Sequence, residues 1–400
     1  MSQAPKRSRS TRLVHMGRVP TPTYGFVNPP VHRGSTVVYP NVAERDARRA
    51  HPFDQVLTYG AQGGPTHYYL EDAIAELEGG TRCQLLPTGL AAVTTALLAY
   101  LKSGDHCLVP DSVYGPCRRF CDTLGAQLGI ETTYYAPEID APALRALMRA
   151  NTRVVYAESP GSHTMEVQDV PMLARVAHEA GAGLLLDNTW GITFFQPFEH
   201  GVDCSIQAAT KYIGGHSDIL LGAITTATED DWKRVRSAAT TLGQYASPDD
   251  CWLALRGLRT LGVRLEAQMR SGLQIASWLR DRPEVADVLH PGLPGAPGHE
   301  IWKRDFTGAC SLFTVELRQD IPVQSMRDMI DALDLFQVGA SWGGFESLVL
   351  PTTNGITRTA SGGKARGPLF RLHIGLESVD ELIADLDRAL SHLAAGPARA

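Results

Sequence analysis

Short apolar runs alternate with amphipathic segments between residues 66 and 260. The apolar runs predict buried strands, and the segments in which apolar residues recur every three or four positions predict helices. Short loops join them, which favours an α/β fold with a mostly parallel, doubly wound sheet. The predicted strands lie at 83–87, 106–110, 131–135, 153–158 and 184–187, and the predicted helices at 68–78, 88–101, 116–124, 141–149 and 170–179.

The pattern changes after residue 260. Strands and helices no longer alternate one by one, which is typical of an α+β arrangement. We therefore predict a large domain at 66–260 and a smaller C-terminal α+β domain at 261–400, connected through a long helix that includes residues 256–261. The predicted elements of the smaller domain are strands at 310–317, 336–338 and 369–374 and helices at 323–333 and 379–393.

Residues 1–65 are predicted to form an extended N-terminal arm. From 13 to 56 the chain is rich in proline, glycine and polar residues and lacks helical periodicity, which favours extended chain with short turns. The basic stretch 6–12 is predicted to be solvated and mobile. An arm of this length seldom packs only on its own subunit, so we expect it to contribute to the neighbouring subunit of a homo-oligomer.

Composition narrows the functional classes. Of 400 residues, 44% are hydrophobic and 20% are charged, as in ordinary globular proteins. With 37 basic and 43 acidic residues the net charge is −6, which provides no electrostatic basis for binding nucleic acid. No apolar run approaches the roughly 18 residues of a membrane span, and no apolar segment follows the basic N-terminus as in a secretory signal. We expect a cytoplasmic protein without a membrane or nucleic-acid partner.

The cysteines and histidines indicate neither a disulfide framework nor a metal site. The seven cysteines are odd in number and include no C-x-x-C spacing. Cys117 and Cys121 are four residues apart, which would suit a metal pair, but no histidine stands near them in the sequence. The 13 histidines show no H-E-x-x-H spacing. We expect reduced thiols and no metal.

The stretch from Ser205 to Asp218 carries the first chemical signal. A strand-like run leads to Thr210 and Lys211, and the neighbours of the lysine are small or apolar. Desolvation lowers the pKa of a lysine, and a neutral amine bonds to an aldehyde. Asp187 ends an apolar strand and would lie at the ligand-binding edge of the sheet. An acid and a lysine at this edge suggest pyridoxal 5'-phosphate (PLP), whereas a surface lysine beside a glycine pair is the alternative.

Two segments carry a family resemblance. D-N-T-W, beginning at Asp187, and S-I-Q-A-A-T-K-Y-I-G-G-H-S-D, beginning at Ser205, resemble the Cys/Met-metabolism family of fold-type I PLP enzymes. The resemblance extends from about residue 13 to about residue 393 and implies a PLP transferase-like fold. It implies that Lys211 holds the cofactor and that Asp187 pairs with its ring nitrogen. It also implies that an incoming amino acid displaces Lys211, whose amine then takes the Cα proton.

The resemblance places the cofactor's phosphate at the turn of Gly89 and Leu90. A glycine turn that opens a helix presents free N–H groups and the positive end of the helix dipole, although many strand-to-helix turns share this pattern. The hydroxyl of Thr210 is implied as a further phosphate ligand. Tyr114 follows the strand at 106–110 and is implied to stack on the cofactor ring, while a packing side chain is the alternative.

A tyrosine of the family reaches into the active site of the neighbouring subunit and touches the phosphate. Tyr59 matches this position, and a simple domain linker is the alternative for its loop. Many relatives carry a phosphate-binding arginine two residues later, where this chain has Ala61. Either another group such as Gln62 compensates, or the affinity for the cofactor is lower. The family resemblance implies a tetramer built as a dimer of dimers.

Arg371 lies in an otherwise apolar strand and predicts an anion site. A buried arginine needs an anionic partner, and a substrate carboxylate suits its guanidinium, whereas a structural ion pair is the alternative. In the segment S-W-G-G-F-E-S, Ser341 and Trp342 are implied to line the substrate site. Family members that act at the γ-carbon tend to carry leucine after that serine, so Trp342 favours β-elimination.

The resemblance thus implies a carbon–sulfur lyase of methionine biosynthesis that converts L-cystathionine to homocysteine, pyruvate and ammonia. Lys211, Tyr114 and Tyr59 are expected to take part in catalysis. A γ-lyase, a γ-synthase or a cysteine desulfhydrase would use the same residues, so these alternatives stay open. A PLP-binding regulatory protein without turnover is a further alternative, supported only by Ala61.

Overall fold

The strands form two sheets of unequal size. The computed structural model describes residues 7–18, 24–360 and 366–394. Seven strands make the larger sheet: β1 (Arg82–Leu86), β2 (His106–Pro110), β3 (Glu131–Tyr135), β4 (Thr152–Glu158), β5 (Gly183–Asp187), β6 (Cys204–Gln207) and β7 (Gly222–Thr226). Their order is β1-β7-β6-β5-β4-β2-β3. β7 runs antiparallel to both β1 and β6, and the other neighbouring pairs in the described ranges are parallel. The predicted mostly parallel α/β sheet is confirmed.

Helices cover both faces of this sheet because its central strands are apolar on both sides. Leu185 of β5 packs into one cluster of buried residues, whereas Leu184 and Leu186 pack into a second cluster. Successive side chains of a strand point to opposite faces, so the two clusters lie on either side of the sheet. The helices are α1 (Arg9–His15), α2 (Val42–Arg49), α3 (Pro65–Glu78), α4 (Gly89–Tyr100), α5 (Gly115–Phe120), α6 (Ala141–Leu147), α7 (Val170–Glu179), α8 (Glu229–Thr241), α9 (Pro248–Arg280), α10 (His299–Asp305), α11 (Val323–Asp331) and α12 (Val379–Ala394).

The smaller sheet has five strands in a mixed arrangement. They are β8 (Val285–Leu289), β9 (Leu312–Leu317), β10 (Gln337–Val338), β11 (Leu348–Pro351) and β12 (Leu369–His373), in the order β10-β11-β12-β9-β8. Met326 of α11 and Leu386 of α12 are buried in one cluster with Phe370 of the sheet. The sequence pattern does not predict β8 or β11, because an aspartate interrupts the first and a proline ends the second.

The 33-residue helix α9 connects the two halves. Leu258 and Leu261 are buried in a cluster of the large sheet, while Ile275 and Leu279 are buried in the cluster of the small sheet. The predicted boundary at 260/261 therefore falls inside a continuous helix, and the division into domains stays a prediction. Neither α9 nor any other helix in the described ranges has the length and apolarity needed to cross a membrane.

The expectation of an arm without helices is wrong. The structure forms α1 and α2 within it. In the basic stretch, the Arg9 guanidinium donates to the carbonyl of Thr193 at 2.9 Å. Leu13 of α1 is only 2% exposed and belongs to a buried cluster that includes Leu258 of α9. Arg12 pairs with Glu76 at 3.0 Å between Nε and Oε1. Burial against the distant helix α9 stabilises α1, and local sequence periodicity does not report such a contact. Residues 1–6 and 19–23 of the predicted arm lie outside the described ranges.

Irregular turns interrupt the regular elements. The predicted helix at 116–124 is α-helical only to Phe120 and continues as a π-helical turn over Cys121–Gly125. Turns of 3₁₀ type lie at Gly60–Gln62, Pro197–His200 and Thr353–Gly355. These turns leave the predicted order of strands and helices unchanged.

Candidate active site

A cavity of about 470 Å³ lies at the carboxyl edge of the large sheet, between that sheet and the small one. Open α/β sheets place their ligands at this edge, where the loops after successive strands converge. The cavity brings together nine residues that the sequence predicts to be functional. They are Gly89, Leu90, Tyr114, Asp187, Thr210, Lys211, Ser341, Trp342 and Arg371.

Lys211 lies in the turn that follows β6. Its Nζ donates a hydrogen bond to Ser341 Oγ at 2.8 Å and lies 5.1 Å from the centre of the Trp342 ring. Burial and the nearby charge of Arg371 lower the pKa of Lys211 to about 8, and Asp187 opposes this effect. A substantial share of the amine is therefore neutral near physiological pH, the form in which it accepts protons and bonds to aldehydes.

Gly343, in the loop between β10 and β11, allows this loop to approach Lys211 closely. A Cβ atom at Gly343 would lie 2.9 Å from the carbonyl carbon of Lys211, and the φ of Gly343 is +84°. Both the space and the backbone angle favour glycine over other residues. This close approach places Ser341 and Trp342, on the same loop, against the lysine.

Asp187 ends β5 and faces into the cavity. Its Oδ1 accepts hydrogen bonds from the N–H of Thr189 at 3.0 Å and from the Thr189 hydroxyl at 2.6 Å. Burial raises the pKa of Asp187, while these hydrogen bonds and the charge of Lys211 oppose the rise. Thr189 Oγ1 also accepts from the N–H of Ala208 at 2.9 Å. The hydroxyl thereby ties the end of β5 to the segment that carries Lys211.

The N-terminus of α4 forms one corner of the cavity. Thr88 caps the helix by accepting from the N–H of Ala91 at 3.0 Å, and the first N–H groups of a helix have no partner within it. A Cβ at Gly89 would lie 2.7 Å from the Cβ of Ala208, so a side chain here would collide with the neighbouring loop. The free N–H groups of this corner suit an anion such as phosphate.

Thr210 also lines the cavity, but its hydroxyl is already engaged. Thr210 Oγ1 donates to the carbonyl of Leu221 at 3.2 Å and accepts from the N–H of Leu221 at 2.9 Å. To donate to a phosphate, as the sequence predicts, the hydroxyl has to give up its bond to the Leu221 carbonyl. The role of Thr210 in phosphate binding stays a prediction.

Tyr114 is the N-cap residue of α5, lines the cavity and is 42% exposed. Its backbone N–H donates to Glu158 Oε2 at 2.7 Å. Burial is the largest cause that raises the pKa of the phenol, with added effects from Asp187 and Glu158, whereas Arg119 and Arg371 oppose the rise. Tyr114 lines the cavity and stays partly exposed, so its aromatic ring suits the face of a planar ligand.

Tyr59 lies apart from the residues that line the cavity. It is 52% exposed and does not line the cavity of its own chain. Ala61 is exposed, and the side chain of Gln62 accepts a hydrogen bond from Thr58 at 2.6 Å. Gln62 is thus turned toward its own loop, while its carbonyl accepts from Arg236 at 2.7 Å. The predicted contribution of Tyr59 to a neighbouring subunit stays a prediction.

Arg371 projects from β12 into the cavity. One guanidinium nitrogen donates to the carbonyl of Ala340 at 2.8 Å. Among the described residues no carboxylate pairs with Arg371, so they do not supply the structural ion pair considered as an alternative. Burial lowers the pKa of Arg371 to about 10, which shows that its charge is poorly solvated. A guanidinium in this state favours binding a carboxylate ligand.

Two further cavity residues, Thr189 and His163, are not predicted from the sequence. Thr189 has a visible signal, because a threonine two positions after a strand-end aspartate suits a local hydrogen bond. His163 has none: its backbone φ is +64°, and burial together with Arg371 and Arg358 lowers its pKa to about 4. His163 is therefore a neutral group in the cavity wall, placed there by an uncommon backbone conformation.

A strand-end aspartate, a desolvated lysine and an open helix N-terminus surround one cavity. Together with the mostly parallel sheet, they define the class of α/β enzymes that bind PLP. The family model described as "Cys/Met metabolism PLP-dependent enzyme" matches residues 10–391, and the chain belongs to this family.

Individual relatives match along most of their length. Cystathionine β-lyase MetC of Escherichia coli is 41% identical, with 96% of this chain and 98% of that protein covered. Cystathionine β-lyase of Salmonella typhimurium is 42% identical, with 94% and 96% covered. The crystal structure of metB from Corynebacterium glutamicum superposes with a TM-score of 0.89 at 29% identity, covering 97% of this chain and 98% of that one.

Proposed function

We propose that this enzyme uses water to convert L-cystathionine to homocysteine, pyruvate and ammonia by β-elimination. The main support is the cavity itself, in which a desolvated lysine faces the same space as a buried arginine that pairs with no carboxylate in the described ranges. Two relatives with at least 41% identity over nearly the whole chain are cystathionine β-lyases. By the family resemblance, Trp342 in place of leucine also favours β-elimination over reaction at the γ-carbon, and its ring lies 5.1 Å from Lys211 Nζ.

The cavity fits PLP by the chemistry of its donors. The N–H groups of Gly89 and Leu90, at the N-terminus of α4, suit the phosphate, and a side chain at Gly89 would collide with Ala208 of the neighbouring loop. Asp187 suits the ring nitrogen, Tyr114 the ring face and Lys211 the aldehyde. When bound, PLP supplies an electron sink for the bonds at the substrate's Cα.

The protein's own groups then bind the substrate and move its proton. We propose that Arg371 holds the α-carboxylate in a bidentate pair, which fixes the orientation of Cα. Lys211, once free, takes the Cα proton, and its lowered pKa of about 8 makes it a base matched to neutral solution. Ser341 Oγ, 2.8 Å from Lys211 Nζ, keeps the amine on the side of the cavity that the Trp342 ring covers.

The rate at which Lys211 bonds to PLP is expected to rise with pH through about 8. Only the neutral amine attacks an aldehyde, and burial with Arg371 lowers the pKa of Lys211 to about 8. The measurement is the second-order rate constant of PLP binding to cofactor-free protein from pH 6 to pH 10.5, followed by visible absorbance. A rate that keeps rising beyond pH 10 would contradict the lowered pKa.

Purified protein supplied with PLP and L-cystathionine is expected to release pyruvate and homocysteine. The keto acid and the thiol are identified together, because the pair reports which carbon–sulfur bond breaks. α-Ketobutyrate with cysteine would instead show γ-elimination and overturn the β-lyase proposal. Cofactor binding without turnover on any sulfur amino acid would favour the regulatory alternative.

We also infer that the enzyme acts as a homo-oligomer, with a tetramer as the specific proposal, in the cytoplasm. Large apolar side chains are exposed along the N-terminal region: Tyr24 is 98% and Val38 is 87% exposed. Exposed apolar residues in this number favour burial against a second copy. Such a contact would also bring Tyr59 to an active site other than that of its own chain.

A further inference from the structure

Glu78 is a fully buried acid at the last position of α3. Three neutral side chains donate to its carboxylate. Gln207 Nε2 donates at 2.8 Å and Asn188 Nδ2 at 3.2 Å, both to Oε1, and the hydroxyl of Ser205 donates to Oε2. Every donor points toward the oxygens, which is the arrangement that holds the ionised form of a carboxyl.

This position is unfavourable for an acid in two ways. The C-terminus of a helix carries the negative end of the dipole, which disfavours a negative charge. Asp187 adds a second negative charge near Glu78, and no salt bridge within the described part of the chain pairs Glu78 with a cation. Glu71, two turns earlier in α3, is equally buried but has Arg236 and Arg82 as compensating cations. The site of Glu78 therefore costs stability that a neutral residue would not cost.

The donors to Glu78 come from the two strands that lead to the proposed cofactor-binding residues. Asn188 directly follows Asp187 at the end of β5, and Gln207 ends β6, just before the turn that carries Lys211. Gln207 Nε2 also donates to the carbonyl of Asn188 at 2.9 Å. Glu78 is thus the common acceptor that links the end of β5 to the end of β6.

We propose that ionised Glu78 is a positioning residue for the cofactor site, acting through Asn188 and Gln207 on Asp187. Its charge, behind Asp187, strengthens the hold of Asp187 on a protonated ring nitrogen. Its hydrogen bonds keep the ends of β5 and β6 in register, so that Asp187 and Lys211 face the same cavity. This inference rests on the proposed roles of Asp187 and Lys211 in holding PLP.

The ionisation of Glu78 depends on pH. Burial, with a smaller contribution from Asp187, raises the pKa of Glu78 from its usual 4.5 to about 7, while the three hydrogen bonds oppose the rise. Cys83 on β1 is a second titratable group in its field, and its thiol stays protonated because burial raises its pKa well above the usual value. A raised carboxyl pKa contributes stability that is present below pH 4.5 and lost as pH rises through about 7.

Glu78→Gln is the test, with Glu71→Gln as the matched control. Glu78→Gln is expected to raise the Kd of PLP about tenfold at pH 8, as for residues coupled in one network. Because wild-type Glu78 is protonated at low pH, the ratio of the two Kd values should approach one by pH 6. The Kd is measured by absorbance while PLP is titrated into cofactor-free protein. Glu71→Gln should leave the Kd of PLP unchanged at every pH.

Thermal unfolding separates positioning from structural support. As pH rises from 5 to 8, Glu78→Gln should gain in Tm relative to the wild type, because folding holds the wild-type carboxyl at a raised pKa and the variant has no titrating group at this position. Weaker cofactor binding in a protein that is no less stable is the expected signature. An unchanged Kd in Glu78→Gln, or an equal loss in Glu71→Gln, would overturn the proposal.

A milder variant covers the case in which Glu78→Gln does not fold. Ser205→Ala removes one donor to the carboxylate, so it should raise the pKa of Glu78. The pH below which PLP affinity declines should therefore move upward in Ser205→Ala. An unmoved pH profile would count against the proposal. Because the keto acid is identified in a separate assay, an error in the proposed substrate leaves this test intact.

Discussion

Replacement of Lys211 by alanine is expected to lower kcat by at least about 10³-fold, in the range that loss of a general base produces. The same change should abolish the covalent attachment of PLP, because the buried amine at the cavity is the group that bonds to its aldehyde. Two measurements check this: steady-state turnover of L-cystathionine, and the visible absorbance that stays with the protein after exhaustive dialysis.

Lys233→Ala is the control for this prediction. Lys233 is an exposed lysine of α8 that pairs with the exposed Asp230 at 3.5 Å. A surface pair of this kind contributes little to stability, so kcat and cofactor retention should stay at wild-type values. If Lys211→Ala kept near-normal turnover, the proposed chemistry would be wrong regardless of the substrate.

Replacement of Arg371 by leucine is expected to lower kcat/KM for L-cystathionine by roughly 30- to 5,000-fold. This corresponds to the ~2–5 kcal/mol lost when one member of a buried charge pair is removed. The substrate carboxylate would enter the cavity without a partner, so most of the effect should be in KM. Arg371→Lys keeps the charge but not the bidentate geometry, and it should fall between the leucine variant and the wild type.

The thermal stability of Arg371→Leu should not fall together with its kcat/KM. The charge of Arg371 is buried without a carboxylate partner among the described residues, so Arg371→Leu is expected to preserve or raise Tm, apart from the lost bond to the Ala340 carbonyl. Arg318→Ala, which removes an exposed pair with Asp320, is the control and should change neither Tm nor KM. A large fall in Tm with unchanged KM would identify Arg371 as a structural residue.

Local sequence pattern determined most of the large sheet. The observed bounds of β2 (His106–Pro110), β3 (Glu131–Tyr135) and α7 (Val170–Glu179) agree with the predicted ranges. β2 is buried along its whole length, so its run is mostly apolar and bounded by turn residues. β3 is an edge strand and only partly buried, but its threonines and tyrosines favour a strand. β8 lacks either signal, because part of it stays exposed and its sequence contains an aspartate.

The charged residues of the cavity were also visible in the sequence. Asp187, Lys211 and Arg371 each stand in or beside an apolar run, where a charge needs a partner. The functional assignment, however, came from the family resemblance of the surrounding segments. Periodicity alone left a surface lysine and a structural ion pair open as alternatives.

Contacts between distant segments were decided only by the tertiary structure. Leu13 makes α1 stable because α9 covers it, and the Thr210 hydroxyl bonds to Leu221 because two loops meet. Glu78 looks like an ordinary helix-end acid in the sequence, yet packing buries it beneath the ends of β5 and β6. Periodicity reports which face of an element is buried, whereas the partner that covers this face depends on how the whole chain packs.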